Sequence, residues 1–146
     1  MLAAERVRRR TIYALIDGRV LNVIAHPGEL VGGDKTILTM GDTSRMRAVA
    51  EVYETDVGRV RLGQDATITS RALDHPVTGT VVEIGRMIFK NDVLNVDPAA
   101  RADARVVEVR IELDDAERTA GLTNLTVEVL INGGDRPVAA AGTANK

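Results

Sequence analysis

The segment Arg105 to Leu113 (RVVEVRIEL) restricts the fold more than any other part of the chain. Val107, Val109, Ile111 and Leu113 alternate with Glu108, Arg110 and Glu112, and only Val106 breaks the polar side. An extended chain sends successive side chains to opposite faces, so the pattern predicts a strand with one buried and one solvated face. The same two-residue period recurs in Arg47 to Tyr53 (RAVAEVY), Ala66 to Ser70 (ATITS), Gly79 to Ile84 (GTVVEI) and Thr126 to Ile131 (TVEVLI). These medium strands leave open edges unless they close on themselves, which points to a small β-barrel. Aromatic residues make up only 2% of the chain, so the core must be built from Val, Ile, Leu and Ala. Between the first two strands, Thr55 predicts an N-cap, with Asp56 in the first turn of a helical turn reaching about Arg61. Gly63 ends that turn as a C′ residue would.

Upstream of Met46 the rhythm is shorter. Met1 to Arg10 is built of good helix formers, too few to be stable alone, and reads as the end of a longer helix. Thr11 to Ile16 turns strand-like, and Asp17-Gly18 supplies the positive-φ geometry of a tight turn. Arg19 to Ala25 alternates with apolar residues on both faces, as in a small sandwich. His26-Pro27-Gly28-Glu29 is a turn in which Pro27 presets φ and Gly28 suits the next position. Leu30-Val31 and Thr36 to Met40 complete four short strands. The expected organisation is a helix end over 1–10, a compact half-module over 11–43, a barrel over 44–134 and a disordered tail over 135–146, whose Ala, Gly and Thr have nothing to pack. Lys90 to Asp103, with Asn91-Asp92 and Asp97-Pro98, reads as a long polar loop.

Several functions are disfavoured. A net charge of −2 and a pI near 5.7 offer nothing to nucleic acid or an anionic membrane. Arg6, Arg8, Arg9 and Arg10 make the N-terminus locally basic, which fits a solvated helix end or tail and, less well, a lipid- or nucleic-acid-binding arm. Without cysteine there is no disulfide scaffold, thiolate zinc site or Cys nucleophile. No apolar run approaches the ~20 residues of a membrane-spanning helix, and Met1 to Ala4 is too short for a signal-peptide core. An export signal or anchor is therefore expected upstream if the protein works outside the cytoplasm.

Chemistry is equally hard to find. His26 and His75 each precede a proline, which does not fit helical metal-ligand spacing. Ser44 and Ser70 lack a G-x-S-x-G elbow. Glu51, Glu108, Glu112 and Glu128 alternate with apolar residues as a solvated sheet face does. Gly32 to Thr36 lacks both the spacing and the following helix of a phosphate loop. No enzyme activity, cofactor or metal is expected.

Read as one unit, Ala14-x-x-Asp17-Gly18-x-Val20-x-x-Val23, then Pro27-Gly28-Glu29-x-Val31 and Ile37-Leu38, resembles the second half of a biotinyl/lipoyl domain. The modifiable lysine of that family belongs to the first half. Lys35 lies in the wrong turn to replace it, so a biotinyl/lipoyl-type carrier fragment is only the alternative reading. The remainder resembles periplasmic adaptors (membrane-fusion proteins) of the HlyD type. Val49-x-Glu51-Val52-Tyr53-Glu54-Thr55-Asp56-Val57 and Arg61-Leu62-Gly63-Gln64-x-Ala66-x-Ile68 look like the start of their β-barrel. Lys90-Asn91-Asp92-Val93-Leu94, Asp97-Pro98 and Asp103 to Val109 look like the DevB branch, which serves ABC exporters.

The resemblance implies a mainly β fold, half a lipoyl-like sandwich followed by an adaptor barrel with one short helix. It implies a structural subunit of a tripartite efflux or secretion system in the periplasm, tethered to the inner membrane. Its partners would be further copies in a ring, an inner-membrane ABC transporter and an outer-membrane channel of TolC type, with no nucleic acid. Asp17, Gly18, Pro27, Gly28 and Gly63 would be structural turn residues. Lys90, Asn91, Asp92, Asp97 and Arg101 would lie on a loop that either faces a partner or is simply solvated.

Overall fold

The computed structural model describes residues 11–90, 105–121, 123–133 and 137–145. The chain divides into two units, Met1–Asp42 and Thr43–Lys146.

The first unit holds one antiparallel pair, β1 (Arg19–Val23) with β2 (Leu38–Gly41). Four strands were expected there and two form. The backbone around Leu30-Val31 and over Thr11–Ile16 is not strand. The alternation of β1 is broken because Val20 faces Met40 and Asn22 faces Thr39, which leaves Leu21 as the extra residue of a bulge. Beyond β1, the N–H groups of Ile24 and Ala25 both donate to the Ile37 carbonyl at 2.9 Å. Apolar side chains stay exposed here, Leu15 at 98% and Leu30 at 94%. A lone two-stranded ribbon has no second layer under which to bury them.

The second unit is a closed six-stranded barrel in the order β3-β6-β5-β4-β7-β8. Its strands are β3 (Arg47–Tyr53), β4 (Asp65–Thr69), β5 (Val77–Lys90), β6 (Arg105–Leu113), β7 (Leu125–Ile131) and β8 (Val138–Asn145), all pairing antiparallel. Inward positions follow the two-residue period: Ala48, Ala50 and Val52 on β3, Val109 and Ile111 on β6, Val127, Val129 and Ile131 on β7. The side chains filling the barrel are small and aliphatic, with Met46 the largest at its base. That matches the interior of a narrow barrel, where close packing leaves little room for rings. Two short helices, α1 (Glu54–Val57) and α2 (Ala116–Thr119), sit between strands.

Three sequence expectations are corrected. The tail from Asp135 is not disordered throughout, because Val138–Asn145 forms β8 between β3 and β7 and closes the barrel. Its Ala and Gly residues are what the position requires: a Cβ on Gly142 would collide with the Val49 carbonyl and lie 3.0 Å from the Ala50 Cα. The strand expected over Gly79 to Ile84 runs from Val77 to Lys90, since β6 is long enough to pair with its far end. Helix α1 starts at Glu54, capped by Tyr53 without a side-chain hydrogen bond, so Thr55 is inside the helix rather than its N-cap.

Candidate interaction surface

Asp17 and Gly18 lead into β1, but Gly18 is not there for positive φ. Among the described residues that conformation belongs to Gly28 (94°), Gly63 (81°) and Asn124 (65°). Gly18 instead lies so close to β2 that a Cβ would stand 2.6 Å from the Gly41 carbonyl oxygen. Pro27 and Gly28 are the central residues of a turn closed by the Glu29 N–H donating to the His26 carbonyl at 3.1 Å. The positive φ of Gly28 is what a type II turn needs. Glu29 also accepts from the Lys35 ammonium at 2.8 Å, so Lys35 is engaged in an ion pair beside this turn. Gly63 donates its N–H to the Val81 carbonyl, and Val81 returns one to Gln64, both at 2.9 Å, which fastens the α1–β4 connection to β5. Lys90 ends β5, whereas Asn91, Asp92, Asp97 and Arg101 lie outside the described residues.

The Ser70 hydroxyl donates to the Thr126 carbonyl at 2.8 Å and accepts from the Ala72 N–H, a loop-fixing role. Among the described residues no three His, Asp or Glu side chains are grouped to hold a metal ion. No helix among them is long and apolar enough to cross a membrane.

The outer face of the barrel is more informative. Strand register aligns Phe89, Val106 and Tyr53 across β5, β6 and β3, and Ala139, Leu130 and Thr67 across β8, β7 and β4. Tyr53 and Ala139 line one groove, so the two rows meet there, with Val106 buried within the first of them. Beside them runs an acidic row in which Glu108 faces Glu51, Glu51 faces Ala141, and Ala141 faces Glu128. Like charges directly opposite repel, and Arg110 offsets this at one end. Its guanidinium lies 3.9 Å from Glu108 and 2.8 Å from Glu83. The hydrogen bond to Glu83, then the charge of Glu83 and of Glu108, hold Arg110 above the ordinary arginine value against a small desolvation effect.

Two places on this face stand out. The groove along β7 and β8 has a volume of about 470 Å³, and the outward residues Tyr53, Glu128, Leu130, Ala139 and Ala141 are among those lining it. The other is the far half of β5. Strand β4 pairs with β5 only up to Thr80, so beyond the Val81 bridge the far half of β5 has a strand partner on one side, β6. Two irregularities, between Val81 and Glu83 and between Ile84 and Ile88, bend it. This arm presents Met87, 65% exposed, with Ile88 and Phe89 beside it and Arg86 preceding. Sequence reasoning missed both places, although the alternation that identified outward residues was the signal that lay nearest to them.

Residues 48–127, more than half the chain, match the family described as the CusB-like β-barrel domain. The chain belongs to that family. The Cobalt-zinc-cadmium resistance protein CzcB of Cupriavidus metallidurans is 32% identical over 86 residues, 59% of this chain and 16% of that protein. The Cation efflux system protein CzcB of an Alcaligenes species is 29% identical over the same extent. The crystal structure of ZneB from Cupriavidus metallidurans superposes with a TM-score of 0.51 at 25% identity, covering 92% of this chain and 45% of that one. The matched region thus spans only 16% of the length of the curated relatives. The HlyD-type, DevB-like branch expected from the sequence finds no support, since the likeness is to CusB-like and CzcB proteins. Much of the stretch that suggested that branch, residues 91–104, lies outside the described residues.

Proposed function

We propose that this CusB-like chain serves as the barrel-bearing part of a periplasmic adaptor in a tripartite efflux system of the RND type, tethered to the inner membrane. The observation that carries this reading is the closed six-strand barrel of residues 43–146, of which 48–127 match the CusB-like family, and which together with the preceding unit is similar to ZneB over 92% of the chain. Its partners would be an inner-membrane RND transporter, an outer-membrane channel and further copies of itself. Residues 11–43 would be the second half of a lipoyl-like sandwich, whose first half covers the exposed Leu15 and Leu30. The names of the relatives, which refer to cobalt, zinc, cadmium and cation efflux, favour divalent metal cations as the cargo. The contribution of this part is architectural, a rigid β-module that holds its place in an assembly rather than performing chemistry.

Deleting the coding gene and measuring growth on graded zinc, cobalt and cadmium salts, with cell-associated metal, tests the cargo. Tolerance should fall and retained metal should rise, and both should be restored by the gene in trans. Unchanged tolerance to all three would sink the metal reading. In-cell cross-linking tests the system type: recovery of an ABC transporter in place of an RND transporter would overturn the RND assignment.

A further inference from the structure

We infer that Asn132-Gly133, at the start of the β7–β8 connection, is a site of spontaneous deamidation that loosens the closing strand of the barrel as the protein ages. Strand β7 ends at Ile131, which pairs with Val138, the first residue of β8. Asn132 and Gly133 therefore open the connection that carries the chain into the strand closing the barrel. Asn132 is exposed, and of the described asparagines it alone precedes a glycine. Asn22 is followed by Val23 inside β1, and Asn124 by Leu125, the first residue of β7.

The reaction needs only water. The Gly133 nitrogen gives up its proton and attacks Cγ of the Asn132 side chain. A bond from that nitrogen to Cγ forms, the Cγ–Nδ2 bond breaks, and the side-chain amide leaves as ammonia with the proton. Water then opens the resulting cyclic imide at either carbonyl, giving aspartate or isoaspartate. The local structure favours the first step. Gly133 has no side chain to crowd the ring and turns freely about φ and ψ. Its N–H donates to no described residue, so no bond to one of them has to break before the attack.

The strand register makes the product destabilising. Ala66 faces Ile131, and the Asn132 N–H donates to the Asp65 carbonyl at 2.9 Å, which continues the ladder and sets residue 132 opposite Asp65. A carboxylate at 132 would face the Asp65 carboxylate, and like charges directly opposite repel. Isoaspartate also routes the main chain through Cβ. That adds a carbon between Ile131 and Val138, whose pairing starts the β7–β8 ladder.

The folded full chain is incubated in warm, mildly alkaline buffer and mapped at intervals by mass spectrometry with electron-transfer fragmentation, which separates aspartate from isoaspartate. Asn132 should convert several-fold faster than Asn22 or Asn124. Equal rates at the three, or conversion of Asn132 only after unfolding in urea, would overturn the site. Aged protein should unfold at a lower urea midpoint than fresh protein, whereas Asn132→Gln aged alongside should keep its midpoint. A parallel fall in that variant, or no fall in aged protein with Asn132 converted, would overturn the effect on the closing strand. Asn132→Asp supplies the charge without the added carbon. It should lower the midpoint slightly, less so at high salt, and Asp65→Asn in the same chain should restore it. A loss that Asp65→Asn leaves in place would overturn the repulsion.

Discussion

Arg110 Nη1 lies 2.8 Å from both carboxylate oxygens of Glu83, across a ladder that has slipped by one residue at Val82. Val81 faces Ile111 and Glu83 faces Arg110, so the bulge is what returns a charged side chain to the outer face. Both partners are about half exposed, so solvent screens the pair despite its short distances. Arg110→Gln should therefore cost less than about 1 kcal/mol in urea denaturation, and less still at high salt. Arg110 is held above its ordinary value, so its contribution is present in the neutral range and is lost as the pH rises through the arginine range. The difference between wild type and variant should stay flat between about pH 6 and 9. A slope in that interval would assign the effect to another group.

Gly142 carries the opposite kind of requirement. Its missing side chain lets β8 approach β3, where the Val49 carbonyl and Ala50 Cα, both backbone, occupy the space a Cβ would need. Backbone cannot rotate away as a side chain can. Gly142→Val should destabilise the barrel by about 2–4 kcal/mol, the upper range for overpacking and backbone effects. Ala139→Ser, on the outward face of the same strand, should be nearly neutral.

A chain ending after Gly133 separates the two views of residues 135–146. Were that stretch a disordered tail, trimming it would leave melting unchanged. With β8 in place between β3 and β7, its loss opens the barrel and bares two long edges. Loss of cooperative unfolding, with aggregation, is the expected outcome by circular dichroism and light scattering. A truncated chain that melts like the parent would contradict the closed topology.

Ile111 is fully buried on the inward face of β6. Ile111→Ala should cost about 2–5 kcal/mol, the range for emptying a tightly packed apolar site. The neighbouring outward change Glu112→Gln, which removes exposed contacts to Arg45 and Arg47, should cost under about 1 kcal/mol. Parallel urea titrations of the two variants check the assignment of faces.

Much of the barrel was legible because burial and alternation are local properties. Arg105 to Leu113 reads as a strand in the sequence and is one, with Val107, Val109, Ile111 and Leu113 inward. The closing strand was not legible. Val138, Ala140, Gly142 and Ala144 carry too little apolar bulk to register as a pattern, and their smallness makes sense only against β3. The same holds for the outer face. Phe89, Val106 and Tyr53 are far apart in sequence, and only register across three strands puts them in one line. Gly18 was recognised as a special position for the wrong reason, since turn chemistry is written in neighbouring residues and close approach to Gly41 is not.

The pairing of β3 with β8 also sets the order in which the barrel can be made. Every other barrel strand lies between them in the sequence, so the first wall cannot be finished until the last has been synthesised. Long-range closure of this kind is slow, because loop entropy is lost before the contacts that reward it can form. During that interval the nascent polypeptide stays loose and threadable.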